Sequence, residues 1–291
     1  LDCRRAAYAT LKKILPFYDV FIPSLSVRID RSLLSCAKRL RLIAAPSTGL
    51  DHIDQKAARA CGIMVISLQG EYELLKRISA TAEHTFALLL ALVRQIPSAA
   101  QDVLAGNWRR ARFRGHELQG KTMGILGYGR VGEMVSRYAR AFGMDVVGCD
   151  PHRRIPDRWV RQVSFRTLLR VSDVLSVHVP LREETKYLLG QEAFALMKPG
   201  TVIVNTSRGD VIDEVALLHA LRTGRIAGAA LDVLSGELSG AVRSSPLVRY
   251  ARTHPNLLIT PHVGGVTWES QRKVLIHIAR RVREFVLREG R

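Results

Sequence analysis

Three short stretches of this 291-residue chain place ionisable side chains just after an apolar run ends. Asn205-Thr206-Ser207-Arg208-Gly209-Asp210 carries a guanidinium. Asp232-Val233-Leu234-Ser235-Gly236-Glu237 carries carboxylates, and Pro261-His262-Val263-Gly264-Gly265 carries an imidazole. A guanidinium is a planar, permanently charged fork that matches a carboxylate in two hydrogen bonds, so Arg208 can hold an acid substrate. An imidazole titrates near neutral pH, so His262 can give or take the proton of a hydroxyl oxygen. If Glu237 bonds the second ring nitrogen, its carboxylate favours the protonated ring and holds its tautomer. The set suits hydride transfer at carbon 2 of a 2-hydroxy or 2-oxo acid, given a hydride carrier beside it.

Residues 121–150 predict that carrier. Residues 123–126 are a short apolar run, read as a buried strand. Gly127, Gly129 and Gly132 then form G-x-G-x-x-G. Residues 131–142 follow as a helix with Val131, Val135, Tyr138, Ala139 and Phe142 on one stripe. Gly143 stops it, residues 145–148 form a second strand, and Asp150 stands at that strand's end. Gly127 allows the tight turn, Gly129 lets a pyrophosphate approach the backbone, and Gly132 lets helix pack on strand. The helix N-terminus offers free N–H groups and the positive end of its dipole to the phosphates. Asp150 lies 18 residues beyond Gly132, near the usual spacing of about 20. Its carboxylate can accept both hydroxyls of an adenosine ribose and would repel a 2′-phosphate, which favours NAD over NADP. His152, Arg153 and Arg154 follow at once. A nicotinamide carries the hydride itself, so the chemistry needs no metal.

The elements that must position these groups alternate. Residues 1–15 read as a helix ended near Pro16, 18–22 as a strand, 31–38 as a helix, and 40–45 as a strand. A helix at 54–61, closed by Gly62, and a strand at 63–67 complete a β-α-β pattern, which predicts a small parallel sheet. A long helix spans 79–94. Residues 99–121 read as a helix and then an irregular arm with Trp108 and arginines. After the dinucleotide unit come strands at 173–179, 201–205, 227–231 and 257–260, a helix at 214–221, a loop at 236–255, and a closing helix at 268–287. The fold class is α/β, with two doubly wound parallel-sheet domains.

Hydrophobic residues make up 47% of the chain, enough for a full core. No apolar run is long enough to span a bilayer. The net charge of +18 is spread along the chain rather than gathered in a block. That predicts a solvated basic surface that steers anionic substrate and cofactor rather than a nucleic-acid site. Cys3, Cys36, Cys61 and Cys149 show no C-x-x-C spacing, as expected of reduced thiols in a cytoplasmic protein. No secretory signal is visible, and the chain begins at Leu1 rather than at a methionine.

The motifs resemble the D-isomer-specific 2-hydroxyacid dehydrogenase family. They run in order over nearly the whole chain: Ser-Thr-Gly-Leu-Asp-His-Ile-Asp at 47–54, Thr-Ala-Glu-His-Thr at 81–85, Gly-Lys-Thr-Met-Gly-Ile-Leu-Gly at 120–127, His-Val-Pro-Leu at 178–181, Met-Lys-Pro-Gly at 197–200, Asn-Thr-Ser-Arg-Gly at 205–209, Ala-Leu-Asp-Val at 230–233 and Thr-Pro-His-Val-Gly-Gly at 260–265. The resemblance implies catalytic Arg208, Glu237 and His262, with Arg208 on the substrate and His262 as acid/base. It implies substrate contacts from Ser47, Thr48 and Gly49. It implies cofactor contacts at Gly127, Gly129, Arg130, Val131, Gly132, Asp150, Pro151, Val179, Pro180, Thr185, Thr206, Ser207, Asp232 and Gly264, with Asp232 on the nicotinamide amide. It implies a Rossmann NAD-binding domain at 95–266 inserted into a flavodoxin-like substrate domain, built from 1–94 and a return helix at 267–291, and a homodimer. The family's first strand is expected to be missing before Leu1, and no C-terminal regulatory domain is expected after the return helix. Two departures stand out. Glu237 is followed by Leu238 where the family has proline, and Ala45 and Pro46 stand where phosphoglycerate dehydrogenases place a basic residue.

The remaining candidates have plainer readings. His84 and His178 are expected to be structural, with His178 near the adenine; His52 and His116 are expected on loops or the surface. Trp108 and Trp268 are expected in core or interface packing, and Cys149 as small filler. The alternative function is an NAD-sensing binding protein of the same fold, like the C-terminal-binding corepressors. The complete Arg208, Glu237 and His262 set argues against it, and also against formate oxidation, which needs no proton relay.

Overall fold

The computed structural model describes residues 8–289. Cys3 and the first seven residues of the expected opening helix lie outside them. α1 (Tyr8–Ile14) leads through a short turn at Pro16 to β1 (Val20–Phe21), followed by α2 (Arg31–Cys36), β2 (Leu42–Ala44), α3 (Gln55–Ala60), β3 (Met64–Ile66) and α4 (Tyr72–Leu75). The three strands form a parallel sheet in chain order, with Val20 beside Leu42 and Ala44 beside Ile66. Two aspartates start the helices that cover it. Asp30 accepts from the Leu33 amide at 2.9 Å and Asp54 from the Ala57 amide at 2.8 Å. Each such cap stabilises by about 1 kcal/mol. Leu33, Leu34, Ile43, Ile53, Ala57 and Ala58 fill the space between helices and sheet.

The rest of the chain continues with α5 (Ala80–Val93), α6 (Ile96–Leu104), β4 (Thr122–Leu126), α7 (Arg130–Ala141), β5 (Asp145–Cys149), β6 (Val160–Gln162), α8 (Phe165–Val171) and β7 (Val174–Val177). Then come α9 (Gln191–Leu196), β8 (Thr201–Asn205), α10 (Glu214–Arg222), β9 (Ile226–Leu231), α11 (Pro246–Ala251), β10 (Leu257–Ile259) and α12 (Trp268–Glu289). β4 to β10 make one parallel sheet in the order β10-β9-β8-β7-β4-β5-β6. The chain runs outward from β4 in one direction and from β7 in the other, so the topology switches between these two central strands. Ligands of such sheets bind beyond the carboxyl ends of the strands at that switch. A separate apolar core packs on each face of the sheet.

The chain divides into two compact units, one of residues up to Ile78 together with Thr267 onward, the other Ser79–Val266. The division falls ahead of α5, whereas the sequence placed it at 94/95. The reason is packing. α5 buries Phe86, Leu88, Leu89 and Leu92 in the same core as Val135 and Ala139 of α7. Phe86 meets the Tyr138 ring edge-on at 5.7 Å and stacks on Phe142 at 5.2 Å. Within the first unit α12 is tied to the segment after β3: Glu71 pairs with Arg281 and lies 3.3 Å from His277, and Lys273 donates to the Arg77 carbonyl at 2.7 Å.

Several local readings change. The expected loop at 236–255 contains α11, whose Leu247 and Tyr250 are buried. Residues 160–162 form an edge strand on β5, too short to show alternation. His52 lies in the turn ahead of Ile53, as expected of a loop residue, and is buried there at 3% exposure. Trp108 and Trp268 are 86% and 89% exposed, so neither packs in the core of its own unit. Among the described residues no single helix is long and apolar enough to cross a membrane.

Candidate active site

The glycine loop leaves the end of β4. Gly127 has φ +91°, and a Cβ there would stand 2.8 Å from the His178 carbonyl carbon, so only glycine fits. A Cβ on Gly132 would lie 2.3 Å from the Gly127 oxygen, which is why α7 can start so close to β4. At Gly129 a Cβ would meet nothing within 4 Å. The backbone is therefore packed behind at two glycines and open in front at the third, as a cradle for a phosphate pair requires. Gly129 is also the N-cap of α7 and supplies no side-chain cap of its own. Burial lowers the Arg130 pKa from its ordinary value.

Asp150 follows β5. One carboxylate oxygen accepts from the Tyr128 amide and the other from the His152 amide, each at 2.9 Å. Each oxygen keeps a further lone pair for a ribose hydroxyl. Tyr128 is fully buried under the loop and donates its hydroxyl to Asp157 at 2.6 Å, which ties the glycine loop to the segment after Asp150. Pro151 is exposed beside it. Val179 and Pro180 follow β7, next to β4, and Thr185 donates its hydroxyl to the Pro180 carbonyl at 2.6 Å. His178 stands directly behind Gly127. Burial and the charge of Arg130 push its pKa down to about 3, so it is a neutral wall.

Arg208, Glu237 and His262 lie on the loops that leave β8, β9 and β10, three adjacent parallel strands. Their shared sheet edge follows from strand order alone. Glu237 Oε1 and His262 Nδ1 are 2.6 Å apart, and Glu237 Oε2 accepts from the Leu234 amide at 3.3 Å. With Nδ1 engaged, Nε2 is the nitrogen left for a substrate proton. The Arg208 Nη1 donates to the Ser207 carbonyl at 2.7 Å. Asn205 braces this loop by donating to the Arg208 carbonyl at 2.8 Å and accepting from the Ser207 amide at 2.9 Å. A Cβ on Gly209 would stand 2.1 Å from the Leu234 carbonyl carbon, so the Arg208 loop and the Glu237 loop touch through their backbones. The Thr206 hydroxyl is 2.9 Å from that of Thr85 on α5. Glu214 accepts from the Ser235 amide at 2.7 Å, and burial raises its pKa.

Asp232 is almost fully buried and holds the His262 loop. Its carbonyl accepts from the His262 amide at 2.8 Å, and its carboxylate accepts from the Val263 amide at 2.9 Å and the Gly264 amide at 2.7 Å. Burial opposes ionisation, but these amides and hydrogen bonds from His84 and Thr260 outweigh it and hold its pKa below the ordinary value. Sequence reasoning missed Asn205, Glu214 and Thr260 as parts of the site, and took His84 as structural. Ser47, Thr48 and Gly49 lie in the first unit after β2, where the Ser47 hydroxyl donates to the Gly49 carbonyl at 2.8 Å and Gln69 donates to the Thr48 carbonyl at 3.0 Å.

A family model described as the NAD binding domain of D-isomer specific 2-hydroxyacid dehydrogenases matches residues 86–264. The chain belongs to the D-isomer-specific 2-hydroxyacid dehydrogenase family. It is 35% identical over 272 residues to a hydroxypyruvate reductase of Thermotoga maritima, covering 94% of this chain and 86% of that one. It is 38% identical over 268 residues to a D-3-phosphoglycerate dehydrogenase of Archaeoglobus fulgidus, covering 91% of this chain and 49% of the relative. The chain thus spans about half the length of that relative. The D-lactate dehydrogenase of Aquifex aeolicus, solved with NAD and lactic acid, matches with a TM-score of 0.81 at 30% identity over 94% of this chain and 85% of that one. NAD is the cofactor of the family's nucleotide domain. The open Gly129 cradle and the lone pairs left on Asp150 are the features of this chain that fit it.

Proposed function

We propose that the chain is an NAD-dependent D-2-hydroxyacid dehydrogenase acting on a small 2-oxo acid or its 2-hydroxy product. The observation that carries this reading is the 2.6 Å contact between Glu237 and His262, on loops at the same sheet edge as Arg208 and the glycine cradle. Bound NAD supplies the hydride chemistry. Arg208 takes the substrate carboxylate in its guanidinium fork, which fixes carbon 2 relative to the nucleotide domain. His262 Nε2 gives a proton to the substrate oxygen as the carbonyl is reduced, and takes it back in the reverse direction. Glu237 keeps the Nδ1 proton in place and stabilises the charged imidazolium. The unit up to Ile78 with Thr267 onward serves as the substrate domain, Ser79–Val266 as the nucleotide domain, and the amides of Ser47, Thr48 and Gly49 serve the substrate carboxylate. Asp232, beyond its hold on the His262 loop, faces the nicotinamide amide, and Val179, Pro180, Thr185, Thr206, Ser207 and Gly264 border the cofactor.

The same reading places the protein in the cytoplasm as a homodimer. Free Cys36, Cys61 and Cys149 suit a reducing compartment. Exposed Ile96, Val103, Leu104 and Trp108, on α6 and the arm after it, offer an apolar surface to a second copy.

The test is NADH oxidation with glyoxylate, hydroxypyruvate, pyruvate and phosphohydroxypyruvate. Turnover of one of them, reduced at least about a thousandfold in His262→Ala, supports the reading; losses of this order follow removal of a general acid/base. NADH binding without turnover on any acid overturns it and favours the NAD-sensing alternative.

A further inference from the structure

The loop that aims His262 is strained and heavily restrained. His262 has φ +54°, in the left-handed region that a residue with a Cβ enters at a cost. Three consecutive amides, of His262, Val263 and Gly264, all point at Asp232. The His262 amide goes to its carbonyl and the other two to its carboxylate, which can hold them only while it is itself held. Its side chain is almost fully buried, and two further groups approach Oδ1: the Thr260 hydroxyl at 2.6 Å and His84 Nε2 at 3.2 Å.

Proton accounting assigns the roles. Thr260 has one hydroxyl proton, and the 2.6 Å contact shows that it goes to Asp232. His84 Nε2 is also 3.1 Å from the Thr260 hydroxyl oxygen, which can then only accept. Nε2 of His84 must therefore carry a proton, shared between Thr260 and Asp232. The ring packs against the same loop: a Cβ on Gly264 would lie 2.9 Å from Asp232 Oδ2 and 3.6 Å from His84 Cδ2. His84 sits in α5, whose Phe86, Leu88 and Leu89 are buried in the core, so its anchor does not move with the loop.

We propose that His84 is a positioning residue: its Nε2–H fixes the Asp232 carboxylate, which fixes the backbone of residues 262–264, so that α5 sets the aim of the catalytic imidazole. The assignment deepens the dehydrogenase reading and rests on it only for the kinetic part of the test. Glutamine can place an amide N–H where Nε2 stands, whereas leucine fills the space and donates nothing.

The experiment compares the full chain with His84→Leu and His84→Gln. Without substrate or cofactor, amide exchange at residues 263 and 264 is expected to quicken about tenfold in His84→Leu, the size of one lost hydrogen bond to a charged group, and to stay within about threefold in His84→Gln. With NADH and the best 2-oxo acid, kcat is expected to fall about tenfold in His84→Leu and to recover in His84→Gln. Should His84→Leu fail to fold, His84→Asn carries the same expectation as the leucine variant, because its donor stops short of Asp232. Unchanged exchange at these amides overturns the proposal. So does quickening spread over the whole unit, which marks a packing role, and so does a raised KM for NADH with unchanged kcat. If the parent chain turns over no 2-oxo acid, the dehydrogenase reading fails, and the exchange measurement still decides the role of His84.

Discussion

Glu237→Gln isolates the charge in the pair with His262. Gln is isosteric with Glu, so its side-chain oxygen can still accept from Nδ1 at the same 2.6 Å, and the Leu234 amide at 3.3 Å keeps a neighbour, though a less favourable one. What disappears is the negative charge beside a ring that must become positive. The side chains of His262 and Glu237 are 30% and 25% exposed, so water screens part of the attraction. A hydrogen bond to a charged group contributes about 1.5–3 kcal/mol, roughly twice a neutral one, so exchanging the charged acceptor for a neutral one costs the proton-transfer step about 0.7–1.5 kcal/mol. That corresponds to a fall in kcat of about threefold to tenfold. The assay is steady-state NADH oxidation with the best 2-oxo acid, together with direct titration of NADH binding. NADH affinity should stay within about twofold, because Glu237 bonds Leu234 and His262 and no atom of the glycine loop. A variant with parental kcat would refute the idea that the carboxylate stabilises a charged imidazole. Weakened NADH binding with unchanged kcat would instead place Glu237 in the cofactor site.

Gly132→Ala forces a methyl to within 2.3 Å of the Gly127 oxygen, so the phosphate cradle must shift; the KM for NADH should rise at least about tenfold, and an unchanged KM would remove the glycine loop from the cofactor site. Arg208→Lys keeps the charge and loses the planar fork, so the KM for the 2-oxo acid should rise about tenfold to a hundredfold with NADH affinity unchanged; equal KM values would mean that Arg208 does not grip the carboxylate. His178 has a folded-state pKa of about 3 against an ordinary 6.5, so it binds its proton more weakly when folded, and its contribution to stability is present above 6.5 and lost as pH falls towards 3. Urea unfolding from pH 7 to pH 4 should show the parent losing up to about 1.4 kcal/mol per pH unit more than His178→Gln, and parallel slopes would contradict a buried neutral imidazole.

The nucleotide half was legible because its signals are local. Gly127, Gly129 and Gly132 are spaced by the mechanics of one turn, the strand before them shows as an apolar run, and the helix after them is long enough to show a stripe. In the first unit α2 and α3 were legible from their alternation with strands, while α4, only four residues long, was not. β6 and α11 were not, because three residues show no alternation and a six-residue helix inside a polar stretch shows no stripe. The place of α5 was hidden for a different reason. A helix that is apolar nearly all round does not say which sheet it covers, and only the packing of Phe86 against Tyr138 and Phe142 settles it.

The proposed catalytic groups and their supports differ in the same way. Arg208, Glu237 and His262 carry unusual chemistry at strand ends, so residue type alone singles them out. Their supports are ordinary residues whose work depends on contacts far apart in the chain. His84 reaches Thr260 across 176 positions, and Thr85 reaches Thr206 across 121. No window along the sequence contains both partners. The left-handed turn at His262 is the clearest case. Histidine there, without glycine's freedom, conflicts with local preference, and the conflict is resolved by three amides drawn onto Asp232 at a neighbouring strand end, one onto its carbonyl and two onto its buried carboxylate. A residue that breaks a local rule and is held by long-range bonds is where fold stability is exchanged for aim. In this chain that residue is the proposed acid/base, which is the side chain whose direction the reaction constrains most tightly.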